Sequence, residues 1–330
     1  MKLLIFAIDG MSPIYTKNWL DDLPTIKRIA NQGGLLKMPS NSWSSCTNWA
    51  SIYTGTEKQT HKVLEGTIRE GNESTISDIA VEPWWITLGR EHNLKTGVMS
   101  PLMIDQQACN AIHEVGGWMT GFNNDLPYSY KLVGRVEETL YHSSPEIEAL
   151  VDWSKHKGMH IPDPPTIIPT DGVSDNGLKI TRDVYNAQSL IPKDYYSKGV
   201  DELKESLELK LENCKKLQEK YPVDIMIVYD VKLDIISHCT HHDPELKVLK
   251  KAYEVVDEAL AHFIGAFQPL HKVVISDHGF QAVPYFQEGS YNVIVSGQHT
   301  LPCMCAFTFP GFFIQDFAHI AMKNVFGIKL

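Results

Sequence analysis

Residues 273–280 read Val273-Val274-Ile275-Ser276-Asp277-His278-Gly279-Phe280, a run of apolar and small residues followed directly by a carboxylate and an imidazole. A short apolar run bounded by glycine is typical of a buried β-strand. Asp277 and His278 would then lie at its carboxyl end, which is where open α/β sheets bind their ligands. Carboxylate oxygen and imidazole nitrogen are ligands that Zn²⁺ and Mn²⁺ accept. An Asp-His-Gly tripeptide does not define a metal site alone, so this prediction depends on further ligands elsewhere in the chain.

Composition and charge limit the class of protein. The chain has 330 residues, of which 43% are hydrophobic and 21% charged, as is typical of a soluble globular protein. The formal net charge of -10 argues against nucleic acid or an anionic membrane as the main partner. No stretch reaches the roughly 18 apolar residues that a membrane-spanning helix needs.

The amino terminus and the cysteines bear on the compartment. Residues 1–8 are largely apolar, but the run is short and ends at Asp9 instead of a small-residue cleavage site, so we interpret it as a first strand. The six cysteines are scattered without paired Cys-x-x-Cys spacing. We therefore expect reduced thiols and a cytoplasmic protein.

Strands and helices alternate along the chain. Apolar runs predict further strands at residues 3–8, 97–99, 223–229 and 303–309, and amphipathic patterns predict helices at 201–220, 244–267 and 317–325. This alternation predicts an α/β fold with a mostly parallel sheet and helices on both faces. From about residue 104 to 200 the pattern loosens, and Trp, Tyr, Gly and Pro are frequent. We predict one domain over residues 1–330, with a cap-like insertion at about 104–200.

Metal-type ligands occur at four strand ends or loops of this arrangement. In chain order they are Asp9, the pair Asp234 and His238, the pair Asp277 and His278, and His299. The pair at 234 and 238 is four positions apart and can share one helical face, a spacing suited to binding the same ion. Six ligands are too many for one tetrahedral ion with an open position, but they suit two ions with three ligands each. Two ions roughly 3.5–4 Å apart are the usual apparatus for in-line displacement at phosphorus.

A hydroxyl-rich segment, Ser44-Ser45-Cys46-Thr47-Asn48, begins a helix-like segment that ends at Gly55. The first turn of a helix presents free N–H groups and the positive end of the helix dipole, which favour a bound phosphate. The same residue types are equally suited to capping the helix. Both interpretations remain open on this segment alone.

The order and spacing of these motifs resemble the alkaline phosphatase superfamily, and most closely its type I phosphodiesterase/nucleotide pyrophosphatase branch. The family's motifs match, in chain order, Asp9-Gly10, Ser45-Cys46-Thr47-Asn48 with Thr54-Gly55, Asp234 to His238, Asp277-His278-Gly279 and Gly297-Gln298-His299. These five motifs span both ends of the chain, and the region of the predicted insertion is least covered.

The resemblance implies an alkaline phosphatase-like three-layer α/β/α fold and two divalent metal ions, Zn²⁺ or alternatively Mn²⁺. The family pattern assigns one ion to Asp9, Ser45, Asp277 and His278 and the other to Asp234, His238 and His299. It makes Ser45 the nucleophile and Asn48 a phosphate-binding donor. The family's nucleophile is commonly threonine, and Ser44 and Thr47 lie close enough to leave the register open. His61-Lys62 stands where the family usually has His-Gly, and His61 receives no role.

The implied activity is hydrolysis of a phosphodiester or nucleotide pyrophosphate bond through a covalent phosphoseryl (nucleotidyl) intermediate. The substrate would be a small molecule, and no nucleic-acid or membrane partner is expected. A phosphomonoesterase needs extra positive charge for its dianionic substrate, often a bidentate arginine. The chain has only five arginines, and none lies in these motifs. This favours a diester or pyrophosphate, and the oligomeric state is left open.

Several alternatives remain. A phosphonate hydrolase or a phosphomonoesterase could use the same scaffold, whereas a sulfatase is disfavoured because its Cys/Ser-x-Pro-x-Arg motif is absent. From a different class, the chain could be a catalytically silent metal- or nucleotide-binding protein. Five aromatic residues could stack on a nucleotide base or simply belong to the core: Trp84, Trp85, Trp118, Tyr128 and Tyr130.

Overall fold

The computed structural model of the protein describes residues 1–40, 42–64, 74–122, 141–152, 197–240, 245–287, 294–308 and 326. Within these residues the strands are β1 (Leu3–Ile8), β2 (Gly34–Pro39), β3 (Thr96–Met99), β4 (Trp118–Phe122), β5 (Tyr141–His142), β6 (Ile225–Asp230), β7 (His271–Ile275), β8 (Gly279–Gln287), β9 (Ile294–Thr300) and β10 (Pro302–Phe307).

The α-helices of the same residues alternate with these strands. They are α1 (Pro13–Asn18), α2 (Pro24–Gln32), α3 (Ser45–Thr54), α4 (Lys58–His61), α5 (Trp84–His92), α6 (Gln106–Glu114), α7 (Pro145–Glu148), α8 (Ser197–Lys220), α9 (Lys232–Thr240) and α10 (Lys247–Phe267). Short 3₁₀ turns occur at Leu20–Asp22 and Ile76–Asp78.

Eight strands form the central sheet, in the order β2-β10-β7-β1-β6-β3-β4-β5. The five inner strands β7, β1, β6, β3 and β4 all pair in parallel, while β10, β2 and β5 are antiparallel at the two edges. The predicted mostly parallel sheet is therefore confirmed. A separate antiparallel hairpin consists of β8 and β9.

The inner strands are buried on both faces. Every residue of β1 and β6 is buried, which explains why both read as continuous apolar runs without alternation. In the register of the sheet, Ile8 lies opposite Asp230, and Ala7 lies opposite Ile275 on the other side. The carboxyl ends of β7, β1 and β6 are thus aligned at one edge, where the chain places its polar residues.

Helices cover both faces of this sheet. The connection from β3 to β4 runs in one direction along the strand order and the connection from β6 to β7 runs in the other, so right-handed crossovers place α6 and α10 on opposite faces. The helices on one side include α10, which packs against α8 and α2. On the other side α5 packs against α3 and α6. This arrangement confirms the predicted three-layer α/β/α fold.

The central sheet extends into the range predicted as an insertion. Helix α6 and strand β4 lie within residues 104–122, and β4 pairs in parallel with β3. The two strands pack closely, because the Trp118 ring on β4 covers Gly97 on β3 and a Cβ at residue 97 would collide with it. The start of the predicted insertion near residue 104 therefore does not coincide with the edge of the sheet. Most of the remaining range, 123–140 and 153–196, and the predicted helix at 317–325 lie outside the described residues.

Candidate metal centre

The candidate ligands converge at the carboxyl edge of three adjacent parallel strands. Asp9 follows β1, and Asp277 and His278 follow β7. Asp234 and His238 lie one turn apart on α9, the helix that follows β6. His299 comes from β9 of the hairpin, which packs against α9. The structure thus brings together all six metal ligands expected from the sequence.

The first group, called here the Asp9 cluster, contains Asp9, Asp277, His278 and the hydroxyl of Ser45. His278 Nε2 lies 3.2 Å from Asp9 Oδ1, 3.4 Å from Asp277 Oδ2 and 3.1 Å from Ser45 Oγ. Ser45 Oγ lies 3.4 Å from Asp9 Oδ1. The two carboxylates and the imidazole are completely buried.

The second group, called here the Asp234 cluster, contains Asp234, His238 and His299. His299 Nε2 lies 3.2 Å from Asp234 Oδ1 and 2.9 Å from His238 Nε2, and His238 Nε2 lies 3.6 Å from Asp234 Oδ2. The two clusters adjoin, because the rings of His278 and His299 stack with centroids 3.7 Å apart. His278 Nε2 is also 3.6 Å from Asp234 Oδ1, so this imidazole lies between the two groups of ligands.

These distances fit divalent metal ions. An ion with bonds of 2.0–2.2 Å and tetrahedral geometry separates its ligand atoms by about 3.3 to 3.6 Å. Most of the separations above lie in or close to that range. In addition, Asp277 Oδ2 and Asp234 Oδ1 are buried and accept no hydrogen bond from the residues that the structure describes. In each of the triplets Asp9–Asp277–His278 and Asp234–His278–His299, the candidate ligand atoms lie within 4.8 Å of one another, close enough to share an ion.

Backbone carbonyls fix the imidazoles for metal binding. His278 Nδ1 lies 3.2 Å from the carbonyl oxygen of Gly279, and His299 Nδ1 lies 2.7 Å from that of Trp43. Because a carbonyl oxygen only accepts, each Nδ1 carries a proton, and in the neutral form of the ring Nε2 then keeps the lone pair that a metal ion binds. In both residues Nε2 is the atom that points into the clusters. Outer hydrogen bonds of this kind commonly orient histidine ligands of metals.

The charges of the site favour a cation. Burial and the nearby charges of Asp9 and Asp234 raise the pKa of Asp277 well above its usual value. Burial opposes ionisation of Asp234, but the neighbouring His238 and His299 hold its pKa below the usual value. Burial lowers the pKa of His278, but Asp9, the charge of Asp234 and the carbonyl of Gly279 together raise it above its usual value. Three buried carboxylates in one place form a site of strongly negative potential, which a divalent ion would neutralise.

Helix α3 presents the candidate nucleophile. Ser45 is its first residue, and its hydroxyl reaches the Asp9 cluster. The nearby Thr47 is completely buried, and its Oγ1 has no hydrogen-bond partner among the described residues. Asn48 is also buried, and its amide nitrogen donates to the carbonyl oxygen of Ser42 over 2.9 Å. One of the two amide protons of Asn48 therefore holds the preceding loop.

Three functional positions were missed by the sequence reasoning. Tyr229 Oη and Trp49 Nε1 both donate to Asp9 Oδ2, over 2.7 and 2.9 Å. The Phe280 ring contacts the rings of three histidines: His238, His278 and His299. Of the three, only Trp49 could have been found from the sequence, because it lies one helical turn after Ser45. By contrast, Trp84, Trp85 and Trp118 are buried in the core, and Tyr128 and Tyr130 lie outside the described residues.

Gly10 allows the two clusters to approach. Its φ of +70° lies in the left-handed region that favours glycine, and it follows Asp9 directly. A Cβ at this position would lie 2.7 Å from Phe280 Cε2 and 2.9 Å from the Cα of Asp234. A side chain at residue 10 would therefore collide with both the Asp234 cluster and the ring beside it.

Comparison with known proteins gives one match over most of the chain. The family model "Type I phosphodiesterase / nucleotide pyrophosphatase" matches residues 3–298. No curated protein matches the chain. Within the described residues, no helix is both long and apolar enough to span a membrane.

Two of the solved structures that match the chain are as follows. Phosphonoacetate hydrolase from Sinorhizobium meliloti 1021, in complex with phosphonoacetate, is 16% identical with a TM-score of 0.48, over 86% of this chain and 57% of that one. An inactive variant of murine ectonucleotide pyrophosphatase/phosphodiesterase 5, in complex with AMP, is 13% identical with a TM-score of 0.44, over 86% and 58%. The chain thus spans less than two thirds of the length of either protein.

Proposed function

The chain belongs to the type I phosphodiesterase/nucleotide pyrophosphatase family, and from this premise we propose that it hydrolyses phosphodiester or nucleotide pyrophosphate bonds of small molecules. One observation carries the proposal. Ser45 Oγ, at the start of a helix, lies within 3.4 Å of two candidate metal ligands, Asp9 and His278. A hydroxyl in this position is close enough to share an ion with them and to be activated by it.

We propose that two divalent ions, Zn²⁺ or Mn²⁺, bind to this site. The Asp9 cluster would hold one and the Asp234 cluster the other. When bound, such ions favour the alkoxide form of a serine and neutralise the negative charge of the phosphoryl group.

The residues of the chain would act in a fixed order. Ser45 Oγ attacks phosphorus, and the bond from phosphorus to the leaving oxygen breaks on the opposite side. The product is a phosphoseryl or nucleotidyl ester of Ser45, which a water then hydrolyses to restore the hydroxyl. The N–H groups in the first turn of α3 and the second amide proton of Asn48 are donors for the non-bridging oxygens.

The surroundings of the site favour a substrate with a single negative charge on the reacting phosphorus. Of the described arginines, Arg90 pairs with Glu82, and Arg28 lies close enough to Asp257 to affect its pKa. Neither contacts the two clusters through any hydrogen bond or ion pair that the described residues form. A dianionic monoester would need such a cation more than a diester does. Within the described residues this arrangement supports a diester or pyrophosphate substrate, and Arg69, Arg135 and Arg182 lie outside them.

Activity assays would test the proposal. Metal-reconstituted protein would be given bis(p-nitrophenyl) phosphate, p-nitrophenyl phosphate and the p-nitrophenyl ester of thymidine monophosphate. We expect one of the two diesters to be hydrolysed fastest. Faster turnover of the monoester would contradict the substrate class, and turnover of none with full metal uptake would support a silent binding protein.

The nucleophile is tested by two matched variants. Ser45→Ala removes the proposed nucleophile, and we expect kcat to fall by at least about 10³-fold. Ser44→Ala removes the neighbouring hydroxyl and serves as the control, with activity close to that of the wild type. Mass spectrometry of acid-quenched reactions should find the phosphoryl or nucleotidyl group on the peptide that contains Ser45. Undiminished activity of Ser45→Ala would disprove the assignment.

A further inference from the structure

The two oxygens of the Asp9 carboxylate have different surroundings. Oδ1 faces the metal cluster, 3.2 Å from His278 Nε2 and 3.4 Å from Ser45 Oγ. Oδ2 faces away and accepts hydrogen bonds from Tyr229 Oη over 2.7 Å and Trp49 Nε1 over 2.9 Å. Both donors are at most 1% exposed, so water does not compete with them.

We infer that Tyr229 and Trp49 are positioning residues that hold Asp9 as a one-oxygen metal ligand and fix its distance to the nucleophile. Together with Asp9 Oδ2 they are called the Asp9 clamp below. The inference deepens the proposed function and rests on it, because it assigns the metal affinity and nucleophile placement of that same site.

The chemistry of a carboxylate supports this role. An unrestrained carboxylate can rotate and bind an ion through one oxygen or both. Hydrogen bonds to an ionised acceptor are short and strong, and two of them occupy the lone pairs of Oδ2. Only Oδ1 is then directed at the cluster. Partners of this kind, outside the direct ligands, typically change metal affinity by roughly 10- to 100-fold when they are removed.

The fold delivers the two donors from separate elements. Tyr229 lies on β6 opposite Ala7 in the parallel register with β1, which brings its side chain to the end of the strand that Asp9 follows. Trp49 lies on α3 four residues after Ser45, so it shares a helical face with the nucleophile. The two rings meet edge to face, with centroids 5.1 Å apart and planes at 89°. Trp49 thereby joins the nucleophile helix directly to a metal ligand.

The need of buried polar groups for a hydrogen-bond partner does not by itself explain why Tyr229 and Trp49 both donate to Asp9 Oδ2. A buried tyrosine or tryptophan usually has a hydrogen-bond partner, but a backbone group suffices. Elsewhere in the core, Tyr253 Oη accepts from the backbone N–H of Ser12, and Trp84 Nε1 donates to the carbonyl of Ile52. In the clamp, two such side chains from different elements meet at a single oxygen of one ligand.

These residues provide matched variants for a test. Tyr229→Phe and Trp49→Phe each delete one clamp donor, while Tyr253→Phe and Trp84→Phe delete a buried hydroxyl and a buried indole N–H that contact backbone. Zn²⁺ affinity of each metal-free protein would be measured by competition with a chromophoric chelator, under conditions that resolve two sites. We expect each clamp variant to weaken one site by roughly 10-fold or more and to leave the other unchanged. The controls should bind both ions as the wild type does.

A second readout separates the two donors. At saturating metal, Tyr229→Phe should recover most of its kcat, because its defect is in metal affinity. Trp49→Phe should keep a reduced kcat with little change in KM, because it also loosens the tie between α3 and Asp9. A loss of fold stability alone would not produce this difference in kcat between the two variants. Unfolding curves of the metal-free variants would measure any loss of stability separately.

Two results would overturn the inference in distinguishable ways. If the wild type takes up no Zn²⁺, the metal site and the proposed function fail together with the clamp. If the wild type binds two ions and Tyr229→Phe and Trp49→Phe have the affinities of their controls, the clamp alone is wrong. Each clamp variant tests the change in metal affinity by itself, so the test remains possible if the other variant does not fold.

Discussion

The Asp9 cluster and the Asp234 cluster use the same types of ligand, but they are buried and held differently. Asp9, Asp277 and His278 have no exposed side-chain surface, whereas His238 and His299 keep 22% and 19% of theirs. The Asp9 cluster is built from strand ends in the middle of the sheet, and the Asp234 cluster from a helix and a two-stranded hairpin. The Asp and His side chains of the first cluster are therefore shielded from solvent, and the two histidines of the second are partly open to it.

This difference suggests a division of labour within the proposed reaction. The nucleophile belongs to the buried cluster, where its position is fixed by surrounding side chains. The leaving group and the attacking water need access, and the exposed histidines of the Asp234 cluster lie on the accessible side. Because the two clusters differ in this way, substitutions in them should differ in their effects.

Removing a ligand from the buried cluster should have the largest effect. Asp277→Asn keeps the shape of the side chain but removes the charge, and we expect kcat to fall by at least about 10³-fold because several kcal/mol of charge stabilisation is lost. Metal analysis should find one ion instead of two. Asp224→Asn, at a partly exposed carboxylate paired with Lys2, is the control. Two ions and full activity in Asp277→Asn would contradict the assignment.

The second-largest effect is expected from the ion pair that supports the start of α9, and it should appear as a loss of stability. Lys210 Nζ lies 2.8 Å from Asp230 Oδ2 in full burial, and Asp230 Oδ1 accepts from the backbone N–H of Lys232 at the start of α9. Lys210→Met would remove the ammonium group that contacts this buried carboxylate directly, so we expect the free energy of unfolding to fall by about 3 kcal/mol.

Chemical denaturation of the metal-free protein would measure this loss, with the surface substitution Lys204→Met as control. We expect Lys210→Met to weaken metal binding at the Asp234 cluster, whose ligands lie on α9, more than at the Asp9 cluster. Equal weakening of both sites would show that the two clusters do not depend on separate supports.

The exposed fraction of each histidine predicts whether added imidazole can take the place of its side chain after substitution by alanine. We expect His299→Ala to lose about 10²-fold in kcat/KM at a fixed metal concentration. Added imidazole or higher metal concentration should restore part of the activity, because the vacated space opens to solvent. His278→Ala, in full burial, should not be rescued. Rescue of both variants, or of neither, would remove the proposed contrast in accessibility.

The smallest effect is expected at Phe280, whose ring touches histidines of both clusters. Phe280→Leu keeps an apolar side chain but loses the edge contacts, so we expect roughly a tenfold loss in kcat and a modest fall in affinity at both sites. The control is Phe263→Leu, a buried phenylalanine of α10 that packs on Phe6. An affinity loss at one site only would show that Phe280 supports a single cluster.

The convergence of five candidate ligands could be predicted because Asp9, Asp277 and His278 follow predicted strands and Asp234 and His238 share a helical spacing. A carboxylate or imidazole immediately after an apolar run is a local signal, and parallel strands bring such ends together. The parallel core was predictable for the same reason, since continuous apolar runs mark strands buried on both faces. The edge strand β2 carries no such run, because its residues are mostly half-buried or exposed.

The support of the ligands could not be predicted. The hydrogen bonds from Tyr229 and Trp49 to Asp9 join residues 220 and 40 positions apart, and no local pattern records such a pairing. The hairpin that carries His299 was also missed, because β8 and β9 lack a short turn sequence between them. Likewise, the extension of the sheet past residue 104 could not be predicted, since the glycines before Trp118 suggest a loop although β4 begins directly after them.

The bare Cα of Gly10 has a consequence for the spacing of the two proposed ions. Phe280 and the backbone of α9 press against the hydrogen atoms of residue 10, so this residue limits how closely the helix with Asp234 approaches the strand end with Asp9. The separation between two charges that must act on one phosphorus is thus set by the absence of a single carbon atom. Gly10→Ala would retain every candidate ligand residue, but its methyl group would push the Asp9 cluster and the Asp234 cluster apart.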